Sequence, residues 1–230
     1  MSALSFGEIV EPSTRALIDE DLEEYPEYLN ITPEWEGNFT VPNEINSLIF
    51  LESRIVKDLI YSCVLVQEKS LCKLMNGGLE IFALPNNQFI VLYSEGNGLN
   101  TGQVVESLKN WIYTAKEIYA ITTDSVYNYQ NPYNVEKPIS LIRVLTNSEN
   151  TFNYKKLEQP NLVTGLGACL LTYCIHQSLG KCTLFVIYID KSHLDSYSST
   201  AVLEVLKKLD IPIKNSNVKI SSTSNNNLYM

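Results

Sequence analysis

From about residue 47 onward the chain alternates short apolar runs with turn residues. The runs predict β-strands over residues 48–51, 59–66, 79–84, 89–93, 118–122, 139–145 and 183–189. Several are continuous rather than alternating, the pattern of strands buried on both faces. Asn76-Gly77-Gly78 and Pro85-Asn86-Asn87 are turn sequences between neighbouring runs, so part of the sheet is expected to be antiparallel hairpin.

Three longer segments carry the helical period instead. The first begins near Thr101 and places Val104, Leu108, Trp111, Ile112, Ala115 and Ile118 on one face, opposite Glu106, Lys109 and Lys116. The last, over 198–209, repeats this with Val202, Val205, Leu206 and Leu209, sets Lys207 and Lys208 at the negative end of its dipole, and is closed by Pro212. The middle segment, about 164–179, differs. Leu166, Ala168, Cys169, Leu170, Leu171, Tyr173, Cys174 and Ile175 leave it almost no polar face, so it is expected to be buried on more than one side. Strands interleaved with such helices predict an α/β layered domain with a mixed central sheet flanked by helices.

Both ends depart from this pattern. Residues 1–46 mix acid clusters with Pro26, Pro33 and Pro42 and show no sustained period, which predicts an irregular acidic arm. Its Trp35 and Phe39 are expected to pack on a body or a partner, because large aromatics seldom recur in a segment that floats free. The α/β domain then spans 47–213. Residues 214–230 are mostly Ser, Asn, Thr and Lys, too polar to pack, and read as a flexible tail.

Charge and cysteines narrow the function classes. The formal charge of −9 comes largely from the arm, where eleven acids face only Arg15. That balance argues against nucleic acid and anionic membrane as partners, both of which need a basic footprint. Five cysteines and no basic-then-apolar leader suit a reducing, cytosolic or nuclear compartment, and no apolar run approaches the ~18 residues that span a bilayer.

Catalytic chemistry is hard to assemble. The loop over 96–102, with Gly96, Gly98 and Gly102, lies between a strand and a helix, as a phosphate-binding loop would. Its spacing fits neither the dinucleotide nor the Walker pattern, and a plain connection is the better reading. His176 and His193 have no motif around them. Cys174 and His176 point apart on a helix, and no cysteine spacing resembles a zinc site. No cofactor, no metal and no enzymatic activity are expected.

Three stretches carry a resemblance. Leu157-Glu158-Gln159-Pro160-Asn161-Leu162-Val163, running into Gly165-Leu166-Gly167-Ala168-Cys169-Leu170, resembles the helix-opening segment of the proteasome assembly chaperones that act as a heterodimer on the α ring. Ser5-Phe6-Gly7-Glu8-Ile9-Val10 and Asn227-Leu228-Tyr229-Met230 look like that family's two ends. Where relatives often have Pro before an Ala pair, this chain has Gly167 before Ala168 and Cys169.

The resemblance implies a non-enzymatic chaperone that pairs with proteasome assembly chaperone two, promotes α-ring formation and prevents off-pathway ring association. It also gives Leu228, Tyr229 and Met230 a role as a hydrophobic-Tyr-X anchor for pockets of the α ring, a use of a terminal carboxylate with a known physical basis. The rival readings are a regulator or adaptor of mature proteasomes with the same anchor, and an α/β enzyme binding a phosphorylated or nucleoside ligand at loop 96–102.

Overall fold

A computed structural model of the chain describes residues 31–94, 98–130, 139–190 and 196–215. Its strands are β1 (Trp35–Gly37), β2 (Ile45–Glu52), β3 (Cys72–Leu74), β4 (Leu79–Leu84), β5 (Gln88–Tyr93), β6 (Ala115–Ser125), β7 (Leu141–Thr146) and β8 (Lys181–Ile189). Its helices are α1 (Arg54–Cys63), α2 (Thr101–Ser107), α3 (Lys109–Thr114), α4 (Leu166–His176) and α5 (Ser196–Lys208).

The strands form one mixed sheet in the order β1-β3-β4-β5-β2-β6-β8-β7. Strands β5, β2, β6 and β8 run parallel in the middle, while β4, β3 and β1 continue antiparallel on one side and β7 closes the other. The parallel strands are the ones with continuous apolar runs, because helices cover both of their faces. Ile49, Leu51, Ile121, Phe185 and Ile187 point to α1 and α5. Leu48, Ala120 and Leu184 lie on the opposite face, under α3 and α4. The α/β layered domain with a mixed, helix-flanked sheet is thus the observed architecture.

Both expected hairpins are present: Met75–Gly77 turns β3 into β4, and Pro85–Asn87 turns β4 into β5. The aromatics of the polar segment also pack. Trp35 stacks on Phe39 with ring centroids 3.7 Å apart, and Phe39 leans on buried Trp111.

Two expectations are corrected. The run 59–66 is not a strand; α1 occupies Arg54–Cys63, with Val56, Leu59, Ile60 and Cys63 buried at helical spacing against the sheet. The helix expected from Thr101 through Ile118 is two short helices that break at Leu108, and β6 begins at Ala115, because pairing with both β2 and β8 claims Ile118 for the sheet. The middle helix is buried on more than one side, as expected, against the sheet and against α2. Leu166, Gly167, Leu170, Leu171 and Cys174 face the sheet, whereas Thr172, Ile175 and His176 are exposed.

Candidate functional site

The segment that enters α4 is held by its own polar residues. Arg143, 9% exposed on β7, donates from Nε to Glu158 at 2.8 Å and from Nη2 to the Tyr129 hydroxyl at 2.9 Å. Tyr129 in turn donates to Glu158 at 3.1 Å, closing a triangle. Three residues on, the Asn161 amide grips the Gln130 backbone reciprocally, accepting from its N–H at 2.8 Å and donating to its carbonyl at 3.0 Å. Between these two clamps the Gln159–Pro160 bond is cis. The Glu-Gln-Pro-Asn stretch thus fixes the path of the chain into the helix.

Burial alone would raise the Glu158 carboxyl, but the hydrogen bonds from Arg143 and Tyr129 outweigh it and hold the group below its ordinary value. A carboxylate depressed on folding contributes stability above its unfolded pKa and loses it as pH falls through its folded one. Replacing Arg143 by leucine is expected to cost about 2 kcal/mol at neutral pH. That cost should shrink as pH falls past the ordinary glutamate range and through the depressed value that Glu158 has in the parent. Urea unfolding of the two proteins at pH 7 and pH 3 checks this; a gap independent of pH would show that Arg143 acts through packing.

The start of α4 is built around an acid from another strand. Glu52, the last residue of β2, accepts from the N–H groups of Leu166 at 2.8 Å and Gly167 at 3.1 Å, so a carboxylate satisfies two free donors at the positive end of the helix dipole. Gly165 has φ +94°, and a Cβ there would lie 2.3 Å from Glu52 Oε1. At Gly167 a Cβ would lie 2.8 Å from Leu184 Cδ1, so the missing side chain lets the helix settle on the sheet. That is the tight packing the small residues predict.

Above this junction, at the carboxyl ends of β2, β6 and β8, lies a cleft of about 520 Å³. Glu52, Thr122, Asp124, Asn128 and the 162–165 segment line it, at the end of an open α/β sheet where ligands usually bind. Leu162 at its edge is 86% exposed, and Ile175 on the outward face of α4 is 56% exposed.

The anchor residues Leu228, Tyr229 and Met230 lie outside the described residues, as do most of the acidic arm and His193. Of loop 96–102, only residues 98–102 are described. Asn100 caps α2 there with a reciprocal bond to Gln103, which uses the helix end a phosphate would need. Among the described residues no group of three or more His, Cys, Asp and Glu could hold a metal ion. Cys63, Cys72, Cys174 and Cys182 are buried, and burial pushes the Cys72 thiol up to about 11. No helix among the described residues is long and apolar enough to cross a membrane. Sequence reasoning picked out the 157–163 segment but missed Glu52, whose only signal is an acid ending an apolar strand in a chain whose α4 brings no capping side chain of its own.

No family model and no curated protein matches the sequence. Solved structures do match the fold. Pyrococcus furiosus PbaA, an archaeal homolog of proteasome-assembly chaperone, aligns over 80% of this chain and 88% of its own at 15% identity, with a TM-score of 0.57. The fold is that of proteasome-assembly chaperone homologues. Pyrococcus furiosus PbaB, an archaeal proteasome activator, shares it at 12% identity over 78% of this chain and 90% of its own, with a TM-score of 0.54. So does a protein of unknown function from Corynebacterium glutamicum, at 10% identity over 77% and 81% and a TM-score of 0.53.

Proposed function

We propose that this chain is a proteasome-assembly chaperone, the equivalent of assembly chaperone one, which pairs with assembly chaperone two and acts on the α ring in the cytosol or nucleus. The fold shared with PbaA carries the reading. The Glu158-to-Cys174 resemblance and the exposure of Ile175 on α4 support it. In this scheme the companion subunit covers Ile175 and its surroundings. The heterodimer promotes correct α-ring formation and blocks off-pathway ring association, with no chemistry of its own. Leu228, Tyr229 and the Met230 carboxylate enter a pocket of the ring, where each makes a modest contact and a polar tether keeps the anchor's local concentration high.

Affinity capture from cell extract tests this directly. The chain should recover α subunits and the companion chaperone without mature β subunits. Deleting residues 228–230, or adding one residue after Met230, should weaken binding to α rings while leaving the heterodimer intact. Equal ring binding by the truncated, extended and parent proteins would remove the anchor from the scheme. A second reading, a regulator of mature proteasomes, is favoured by the PbaB fold match; mature particles in the captured fraction would select it.

A further inference from the structure

Two cysteines meet under α4. The helix comes close to β8 at Gly167, where a Cβ would sit 2.8 Å from Leu184 Cδ1. Cys174 follows two helical turns later on the same stripe, and it too is buried. Cys182 lies two residues before Leu184 on β8, and so on the same face of the sheet, beneath the helix. Because the chain turns back between α4 and β8 through residues 177–180, these two steps lead to the same level.

There the thiols touch, with the Cys182 S–H donating to Cys174 Sγ. Both residues are 0% exposed, and none of Cys63, Cys72 and Cys169 has another thiol as hydrogen-bond partner. Accepting this bond holds the Cys174 thiol below its ordinary value, whereas the same bond, aided by burial, pushes Cys182 up. A favoured thiolate thus sits against a thiol that keeps its proton. The start of β8 is fixed, since the Cys182 N–H donates to Asn147 Oδ1 at 2.8 Å and Asn147 Nδ2 donates to the Gly180 carbonyl at 3.0 Å. On the helix side, residues 175–178 are all exposed, so the last turn of α4 is the part that opens most readily to a small oxidant.

We infer that Cys174 and Cys182 form a reversible disulfide when the protein meets a hydroperoxide, and that this bridge clasps the last turn of α4 to β8. With hydrogen peroxide, the Cys174 thiolate attacks one oxygen, the O–O bond breaks, and the other oxygen leaves as hydroxide, which takes up a proton to become water. Cys182 sulfur then attacks the resulting sulfenic sulfur. The S–O bond breaks, the S–S bond forms, and the hydroxyl leaves as water with the Cys182 proton. Two thiols lose two electrons and two protons, and one peroxide becomes two waters. A dithiol reverses the bridge, and in a reducing compartment such a pair cycles rather than staying oxidised. The inference does not depend on a proteasomal role.

Hydrogen peroxide treatment of the full reduced chain, followed by alkylation with N-ethylmaleimide in urea and intact-mass measurement, tests it. The reduced protein offers five thiols; peroxide should remove two of them, and dithiothreitol should restore all five. Trypsin cuts after Lys181, so the bridge appears as residues 157–181 joined to 182–191. Cys169→Ser should leave that species intact and Cys174→Ser should abolish it; the peptide map of the parent decides even where Cys174→Ser does not fold. Amide exchange at residues 172–176 should slow about tenfold in the oxidised form, because the last turn can no longer lift from β8. The inference is overturned if all five thiols survive peroxide, if other cysteines are joined, or if sulfinic and sulfonic acids form in place of the bridge. It also falls if the bridge forms only when peroxide is added in urea, or if exchange is equal in the two forms.

Discussion

Gly165→Ala is expected to unfold about 10 °C below the parent. Two penalties combine at this position. Its φ of +94° and ψ of −167° fall in a region that is essentially glycine's alone, which costs an alanine about 1–3 kcal/mol. The new Cβ would also sit 2.3 Å from Glu52 Oε1 and push the carboxylate off the first N–H groups of α4, forfeiting a cap of about 1 kcal/mol. Together they give about 2–4 kcal/mol, and in a protein of this size each kcal/mol moves Tm by roughly 2–4 °C. Gly180→Ala is the control, because its Cβ would meet only the Lys116 carbonyl at an ordinary 3.6 Å. Thermal unfolding followed by circular dichroism reads both. The mechanism also predicts non-additivity: Glu52→Ala should cost less in the Gly165→Ala background than alone, since the cap is already displaced. A Tm drop of under about 2 °C, or simple additivity, would refute the account of this junction.

Ile175→Lys is expected to separate folding from pairing. Ile175 is 56% exposed in the last turn of α4, so a lysine there removes little packing and suits the negative end of the helix dipole. Stability should change by less than about 0.5 kcal/mol. If the companion chaperone covers this face, the same lysine places an unpaired charge in a dry interface and should cost at least about 2 kcal/mol of binding, or about 30-fold in Kd. Isothermal titration with the companion subunit measures it. An unchanged Kd would move the heterodimer interface away from α4. A parent chain that stays a well-behaved monomer when expressed alone would also count against the covered-face reading.

Strand identity was legible wherever burial is two-sided. The runs at 79–84, 89–93 and 183–189 hold almost nothing polar, and they are strands because helices lie on both sides of them. The same rule misled at α1. Its helical spacing of Val56, Leu59, Ile60 and Cys63 merges into Val64, Leu65 and Val66, and the resulting apolar run looks like a strand when read without the sheet it rests on. Strands β1 and β3 have three residues each, too few for a period to show. For α4, near-uniform apolarity was read as burial on more than one side, which the sheet and α2 provide, while Thr172, Ile175 and His176 stay exposed.

The site was less legible than the fold because its parts come from distant positions. Glu158 and Asn161 stand in the segment that sequence picked out, but their partners Arg143, Tyr129 and Gln130 are 15 to 31 residues away, and nothing local marks the pairing. Glu52 and Leu166 are separated by 114 positions. The anchor at Leu228, Tyr229 and Met230 was the reverse case: a local motif whose role rests on a pocket in another protein.

The place of β2 in the sheet bears on how the protein is made. This strand leaves the ribosome before the elements that enclose it, for it lies at the centre, bonded to β5 and β6 and covered later by α4 and α5. At roughly 5–20 residues per second, about 10–30 s pass between the emergence of β2 and that of α5. Through that interval an apolar central strand waits for its neighbours. Slowing translation between β2 and α5 should therefore lower the soluble yield of the protein.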